Sequence, residues 1–301
     1  MDAQSPTLGL TKQRSRRRWI LFPLIVALLA GGTGAALALR SPNPRPVWLA
    51  HPQAVIRAID AATLGEKSVH WTNEGSDKLY GHESYTEGYE TGTRWRSTSD
   101  VTANSGAQHI TISQLRPNPQ HPMGRNGLLP TGAAAKAEIR LVGDAVYVKG
   151  NMRALRWMAL GLTHAQALRY AERWISVPKW HNLATDIFSE EVTLAQVAPF
   201  NGYGPADYDN ADLSAMRKPD GTQSVSFEDY GSATGWSIDL LARAGDEPLP
   251  IAVDGTSNDG RCRAADDCPD TYSGHFSRWN EPVHVIAPAH AVPLAIARRS
   301  R

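Results

Sequence analysis

The residues of this chain that could take part in catalysis do not form a recognised catalytic motif. A serine nucleophile on a strand-to-helix turn needs the pattern G-x-S-x-G, but Gly231–Gly235 reads GSATG, with its serine one position early. A zinc-binding helix needs H-E-x-x-H, and His82 is followed by E-S-Y-T. The glycines of Gly202–Gly204 stand alone, without a phosphate-binding pattern. We therefore expect no catalytic residues, no metal, no cofactor and no enzyme activity.

The two cysteines, Cys262 and Cys268, are separated by the short loop R-A-A-D-D. Metal ligation would need further Cys or His ligands nearby, and the nearest histidine is His275. A redox pair more often has the spacing C-x-x-C. Of the three readings, we favour a local structural disulfide that closes a long polar loop.

An acidic loop, Asp254–Asp270, surrounds these cysteines. Oxygen-rich loops can bind calcium. However, Thr256 stands where a calcium-binding loop of the EF-hand type has Asp or Asn, and Gly260 comes one position late. We interpret the segment as a solvated loop and not as a calcium site.

Aromatic and branched apolar residues remain as candidates for a binding function. If the elements that carry them face one another, these residues would line a deep apolar pocket that holds a ligand by burying its surface. The same residues could instead pack on each other and leave no cavity, and the sequence favours neither alternative. The candidate lining residues are Trp71, Ile110, Ile112, Ile139, Leu141, Val146 and Val148 from strands, and Leu155, Met158, Leu162 and Tyr170 from helices.

A run without charged residues, Trp19–Leu39, indicates where such a pocket would lie in the cell. As a helix it would span roughly 31 Å, which is close to the hydrocarbon core of a bilayer. A single basic residue, Arg40, follows it, whereas five precede it: Lys12, Arg14, Arg16, Arg17 and Arg18. The positive-inside rule then predicts a single-pass protein of the cell membrane with a cytoplasmic N-terminus and an extracytoplasmic domain. The alternative is a signal peptide cleaved after Ala38; the length of the run favours a retained anchor.

The length and charge of the chain limit the remaining functions. The net charge of +1 argues against a nucleic-acid partner. The 301 residues leave about 260 beyond the apolar run, which is enough for a sizeable core. We divide the chain into a basic tail (1–18), a transmembrane helix (19–39), a Pro-rich spacer (40–50), an extracytoplasmic domain (51–290) and a trailing segment (291–301).

The periodicity of the domain predicts an α+β fold with a large curved antiparallel sheet. A helix over Pro52–Leu64 comes first, and a tight hairpin at Gly143-Asp144 is the strongest local signal. The other predicted helices cover 152–162, 163–173 and 190–198. The other predicted strands lie within 68–115, 137–150, 174–177, 223–253 and 272–286.

Three stretches resemble a known family. They are Val146–Gly150 (VYVKG), Arg173–Pro178 (RWISVP) and a closing block with Phe276, Trp279, Pro282, Val283, Val285 and Pro288. Together they resemble the LolA/LprG-like cell-envelope lipoprotein family, especially its actinobacterial LppX/LprA/LprF/LprG-type branch. The resemblance implies a half-barrel sheet with helices packed in its concave face, and acyl chains or lipidated proteins held between them. Many relatives carry a lipid-modified cysteine that this chain lacks, so helix 19–39 would replace the lipid as tether.

These observations favour a membrane-anchored extracytoplasmic protein that binds a lipid or another apolar ligand in a cavity between sheet and helices. The alternative is a sensory or interaction ectodomain that contacts an envelope protein partner and binds no small molecule.

Overall fold

The structure, a computed structural model, describes ten segments of the chain. They are residues 47–80, 89–117, 128–130, 132–179, 181–184, 189–200, 211–229, 235–245, 247–258 and 270–299. The predicted transmembrane helix 19–39 and the cysteines Cys262 and Cys268 lie outside them. Within these segments no helix combines the length and the apolar character needed to cross a bilayer.

The described residues form one sheet of fourteen strands. In chain order they are β1 (Val47–Trp48), β2 (Ser68–Tyr80), β3 (Tyr89–Thr102), β4 (Gly106–Pro117), β5 (Leu128–Pro130), β6 (Ala135–Val142), β7 (Ala145–Gly150), β8 (Ile175–Pro178), β9 (Ala211–Arg217), β10 (Gln223–Asp229), β11 (Gly235–Ala242), β12 (Pro250–Asn258), β13 (Thr271–Ser277) and β14 (Val292–Pro293). The spatial order is β1-β9-β10-β11-β12-β13-β2-β3-β4-β6-β7-β8-β14, with β5 beside β4. All pairs are antiparallel except β14 with β8.

Five short helices accompany the sheet in the described part of the chain. They are α1 (Pro52–Gly65), α2 (Met152–Trp157), α3 (His164–Tyr170), α4 (Leu194–Val197) and α5 (Leu294–Arg299). Local sequence explains where several of them begin. Proline occupies the first turn of α1, Asn151 caps α2, and Thr163 forms a capping box with Gln166 at the start of α3.

The strand register places the buried residues of the whole sheet on one face. Residues directly opposite each other on neighbouring strands point to the same side. Starting from the fully buried Trp71, one row runs through Ser99, Gln108, Ile139, Val148 and Ile175. In the other direction Trp71 is opposite Phe276. We call this side the covered face, and its reverse the outer face.

Two apolar cores lie on the covered face. The first core lies under α2, α3 and α5 and above β4, β6, β7 and β8; its fully buried members include Ile139, Leu155 and Leu160. The second core lies under α1 and α4 and above β9 to β13 and β2; its fully buried members include Ile59 and Trp71. The helices therefore cover the sheet in two groups, one at each end.

The α+β fold with one large antiparallel sheet is confirmed, as is the hairpin at Gly143-Asp144, which joins β6 to β7. Gly143 has a φ of 60°, which is a conformation that glycine adopts without strain. The predicted helix 190–198 is shorter in the structure. Thr193 caps α4, and residues 190–192 before it are not helical; the Glu191 side chain there is bonded to Asn73 of β2.

The prediction was wrong at both ends of the domain. The end of the expected spacer joins the sheet, since Val47-Trp48 pairs with β9. The expected trailing segment 291–301 contains β14 and α5, which bury Leu294 and Ala297 against the first core. Residues 282–286 form no strand. The segment crosses the outer face, where Arg140 donates to the carbonyl of Ile286.

Close contact between β13 and Trp71 predicts a large effect of one added methyl group. A Cβ at Gly274 would overlap the Trp71 ring, which is fully buried and cannot move aside. We expect Gly274→Ala to lower the free energy of unfolding by about 1–3 kcal/mol, measured by chemical denaturation. Gly65→Ala is the matched control, because nothing lies within 4 Å of its added Cβ. Equal stability of the two variants would contradict this account of the packing.

Candidate functional site

The structure buries all eleven predicted lining residues, each with at most 6% of its surface exposed. Ten of them meet in the first core, where the strand residues lie beneath those of α2, α3 and the turn between these helices. Trp71 is the exception. It lies in the second core, where its ring contacts Phe276 with ring centroids 4.3 Å apart.

A narrow apolar crevice remains within the first core. It is too narrow to hold a water molecule. Six residues line it: Ile110, Ile112, Ala135, Ala137, Ala154 and Trp157. Of these six, only the two isoleucines are among the lining residues predicted from the sequence. The missed signal was the small size of Ala135 and Ala137 at inward positions of β6, where Ile139 and Leu141 follow with the same alternation.

Helix α2 covers this crevice and is attached to the sheet mainly at its first turn. The Asn151 side chain accepts from the backbone N–H of Ala154 at 2.9 Å and donates to the carbonyl of Ala134 at 2.7 Å. Trp157 lies at the other end of α2, and the guanidinium of Arg153 in the first turn lies over its ring, 5.4 Å from the centroid. A helix of this length is not stable by itself, so its position depends on these contacts and on the core beneath it.

Between the two cores, the covered face is polar, and a carboxyl group is buried there. Both carboxylate oxygens of Glu191 accept hydrogen bonds from the Asn73 side chain at 2.7 Å. The hydroxyl of Ser97 donates to Glu191 at 3.2 Å, and the amide of Gln108 donates at 3.3 Å. The backbone N–H of Glu191 donates to the Oε1 of Gln108 in return. We call Asn73, Ser97, Gln108 and Glu191 the polar centre.

Burial governs the protonation of the polar centre. Removal from water raises the pKa of Glu191 from its ordinary value of 4.5 to about 7, and the hydrogen bonds to the carboxylate oppose this shift. The Trp71 indole nitrogen is near enough to stabilise the charged form, although its geometry falls short of a hydrogen bond. Asn73 Oδ1 is buried with no partner in the described part of the chain. The acid therefore keeps its proton up to about neutral pH, and in that form it can also donate a hydrogen bond.

The segment that carries Glu191 crosses the covered face from one core to the other. We call residues 189–200 the strap. Val192 belongs to the first core and Phe200 to the second. The strap lies directly on β4, since a Cβ at Gly106 would overlap the carbonyl of Val192. At its end, the backbone N–H of Phe200 donates to Asp60 at 2.8 Å, and burial raises the pKa of Asp60 to about 7 as well.

The outer face carries a second cavity of about 180 Å³, between β2, β3 and β4 and residues 278–285. His70 Nδ1 lies 2.7 Å from Asp100 Oδ1, and Arg278 donates to the same oxygen at 3.2 Å. One carboxylate thus orients both basic groups and holds the crossing segment against the sheet. Across the described segments, no three His, Cys, Asp or Glu residues are placed to hold a metal ion.

Comparison with known proteins adds little to this geometry. No protein-family model and no curated protein matches the chain. Among solved structures, the chain is similar to LprF from Mycobacterium bovis, with a TM-score of 0.38 and 13% sequence identity, over 81% of this chain and 99% of that chain. A superposition of this quality carries no functional argument.

The buried acid predicts that stability falls as the pH rises. Between pH 4.5 and about 7, the folded chain keeps a proton on Glu191 that the unfolded chain has released, so the free energy of unfolding decreases with increasing pH. Glu191→Gln keeps the shape of the neutral acid and removes the titration. We expect it to stabilise the chain at pH 8 by on the order of 3 kcal/mol, with little effect near pH 4.5.

Urea denaturation at a series of pH values measures this effect. Glu247→Gln is the control for loss of one negative charge, because this side chain is exposed. The same pH dependence in wild type and Glu191→Gln would show that the proton is held elsewhere.

Proposed function

We propose that this protein is an extracytoplasmic binding protein that holds a lipid or another apolar ligand between its sheet and its first helical group. In this proposal residues 19–39 anchor it in the cell membrane, with the N-terminus in the cytoplasm. The sheet acts as a half-barrel whose concave side is the covered face. The proposal assigns binding to the protein and no catalytic step.

The observation that carries this proposal is the crevice beneath α2. Its walls are apolar, and its floor has alanines at positions where the neighbouring inward residues are large. A dense core would fill such positions with larger side chains. Small side chains along a strand would leave room for an extended alkyl chain once α2 moves outward. Burial alone would hold such a chain, because each CH₂ removed from water contributes roughly 0.8 kcal/mol.

Entry of a ligand requires the crevice to widen. It has no room for a water molecule, whereas typical ligand sites enclose roughly 300–1,000 Å³. The part that can yield is α2, since it is short and is held at its first turn by Asn151. Movement of its last turn would carry the Trp157 ring away from Ile110 and Ile112. We therefore propose that Trp157 closes the empty site and moves outward when an alkyl chain enters.

The dense packing of the first core favours a second candidate function. Leu155, Ile139 and Val148 are fully buried and fill the centre of the space between sheet and helices. With that space filled, the domain could serve as an interaction ectodomain for an envelope protein partner and bind no small molecule. The two functions differ in whether the crevice takes up an alkyl chain.

Photo-crosslinking of the full chain in membranes tests the ligand proposal. With a fatty acid that carries a diazirine on its alkyl chain, we expect adducts within residues 132–158, mapped by mass spectrometry after proteolysis. Ala137→Leu fills the floor of the crevice, so the adduct yield should fall about tenfold, which is the loss expected when binding weakens by roughly 1.4 kcal/mol. Trp157→Ala removes the ring that closes the crevice and should raise the yield.

Ala215→Leu is the matched control, because Ala215 is also buried but belongs to the second core. Thermal unfolding checks that both leucine variants remain folded. Adducts spread evenly along the chain, or equal losses in Ala137→Leu and Ala215→Leu, would exclude the crevice as the binding site and favour the interaction ectodomain.

A further inference from the structure

The first strand of the sheet exposes both of its side chains. Strand β1 consists of Val47 and Trp48, and each of them is 63% exposed. Its neighbour in the described part of the chain is β9, so β1 forms one edge of the sheet. Soluble proteins commonly protect such edges with charged residues or proline. Two exposed apolar residues at an edge therefore indicate a surface that a partner covers.

The two side chains of β1 point to opposite sides of the sheet, because they are consecutive residues of a strand. Val47 is opposite Arg217 of β9, and Trp48 is opposite Met216. The neighbouring Ala215 is buried in the second core, so Val47 lies on the side of the covered face and Trp48 on the side of the outer face. A partner lying on one face would reach only one of them. A layer that meets the edge itself reaches both.

The proposed membrane anchor reaches this edge through a short tether. Only residues 40–46 separate the apolar run 19–39 from Val47. A chain of this length spans at most roughly 25 Å when fully extended. A domain of about 250 residues has a diameter of roughly 45 Å. The tether is thus shorter than the domain, and β1 is the first part of the folded domain that it brings to the bilayer.

We propose that the β1 edge docks on the bilayer that holds the anchor, with Trp48 and Val47 inserted at the lipid–water interface. Tryptophan is enriched at this interface, where its ring meets the acyl boundary and its indole N–H stays among the headgroups. Arg217, exposed and opposite Val47, suits the same depth because guanidinium groups donate to phosphate oxygens. The sheet then stands edge-on to the membrane. The proposal rests on the anchor of the proposed function and goes beyond it by setting the orientation of the domain.

The size of the edge favours the bilayer over a second copy of this chain. A stable interface between two proteins buries roughly 800 Å² on each partner. The edge strand has only two residues, and the chain leaves it at once, because Leu49 packs against the second core and α1 begins at Pro52. Two side chains on opposite sides of a sheet provide too little area for such an interface. A fluid layer of lipid needs no matching strand or pocket.

Site-specific photo-crosslinking of the full chain in phosphatidylcholine nanodiscs tests the docking. The photoreactive residue p-benzoylphenylalanine replaces Trp48 in one variant and Val47 in another, and mass spectrometry measures the phospholipid adducts at each position. We expect both variants to form several-fold more adduct than a third variant labelled at Leu168. Leu168 is the matched control, because it is 62% exposed and lies on α3, which packs with β8 near the other end of the strand order.

A label at Ile286 distinguishes the edge-on orientation from a flat one. Ile286 is 74% exposed in the segment that crosses the outer face, which is the side of the sheet on which Trp48 lies. A sheet lying flat on this face would give adducts at Ile286 and Trp48 and few at Val47, and this result would overturn the edge-on docking. Thermal unfolding checks that the labelled variants remain folded, as expected for replacements at exposed positions.

Adduct yields at Val47 and Trp48 no higher than at Leu168, from a chain held in the nanodisc, would also overturn the docking and leave the anchor standing. Co-purification with the nanodisc reports the anchor separately. A chain that does not co-purify overturns the anchor and, with it, the docking. The diazirine adducts report ligand binding in the crevice, which can succeed or fail independently of both.

Discussion

The register of the antiparallel sheet is the constraint on which the rest of the structure depends. From β9 to β8, successive pairs keep opposed residues on the same side, so a single face receives nearly all of the buried side chains. A slip of one residue in any pair would turn the apolar residues of all strands beyond it to the outer face. Because one face must be buried, every helix in the described part of the chain is drawn to it.

The centre of that face is where apolar packing stops. Asn73, Ser97 and Gln108 occupy inward positions on three adjacent strands. All three donate hydrogen bonds to one buried partner, the Glu191 carboxyl group. A buried polar group without such a partner would lower the free energy of unfolding by a few kcal/mol. The strap must therefore stay in place to keep these side chains hydrogen-bonded. The polar centre thus divides the covered face into two cores and fixes the segment that connects them.

The two halves of the covered face differ in what they offer a partner. The half under α1 and α4 is packed around Trp71 and Phe276, whose rings fill its centre. The half under α2, α3 and α5 contains an alanine-lined crevice. Lipid binding is therefore proposed for this half, where the small inward side chains of β6 lie beneath α2.

The sequence by itself determined those features that depend on neighbours in the chain. Alternation predicted the strands of 137–150 and their inward residues, and ten of the eleven candidate lining residues share one core because they belong to adjacent strands and the helices that follow them. Local signals such as Gly143 and Thr163 marked a turn and a helix start correctly.

Tertiary structure decided the features that depend on distant pairing. Asn73 and Glu191 are 118 positions apart, and their contact follows from strand order together with the path of the strap. Trp71 lies in the second core because β2 pairs with β13, which is about 200 positions away in the chain. The C-terminal residues form β14 and α5 because the edge of β8 was open to a parallel strand. The alternation of residues along a strand indicates which side of it is buried. Which segment covers that side depends on strand pairs and packing contacts between residues far apart in the chain.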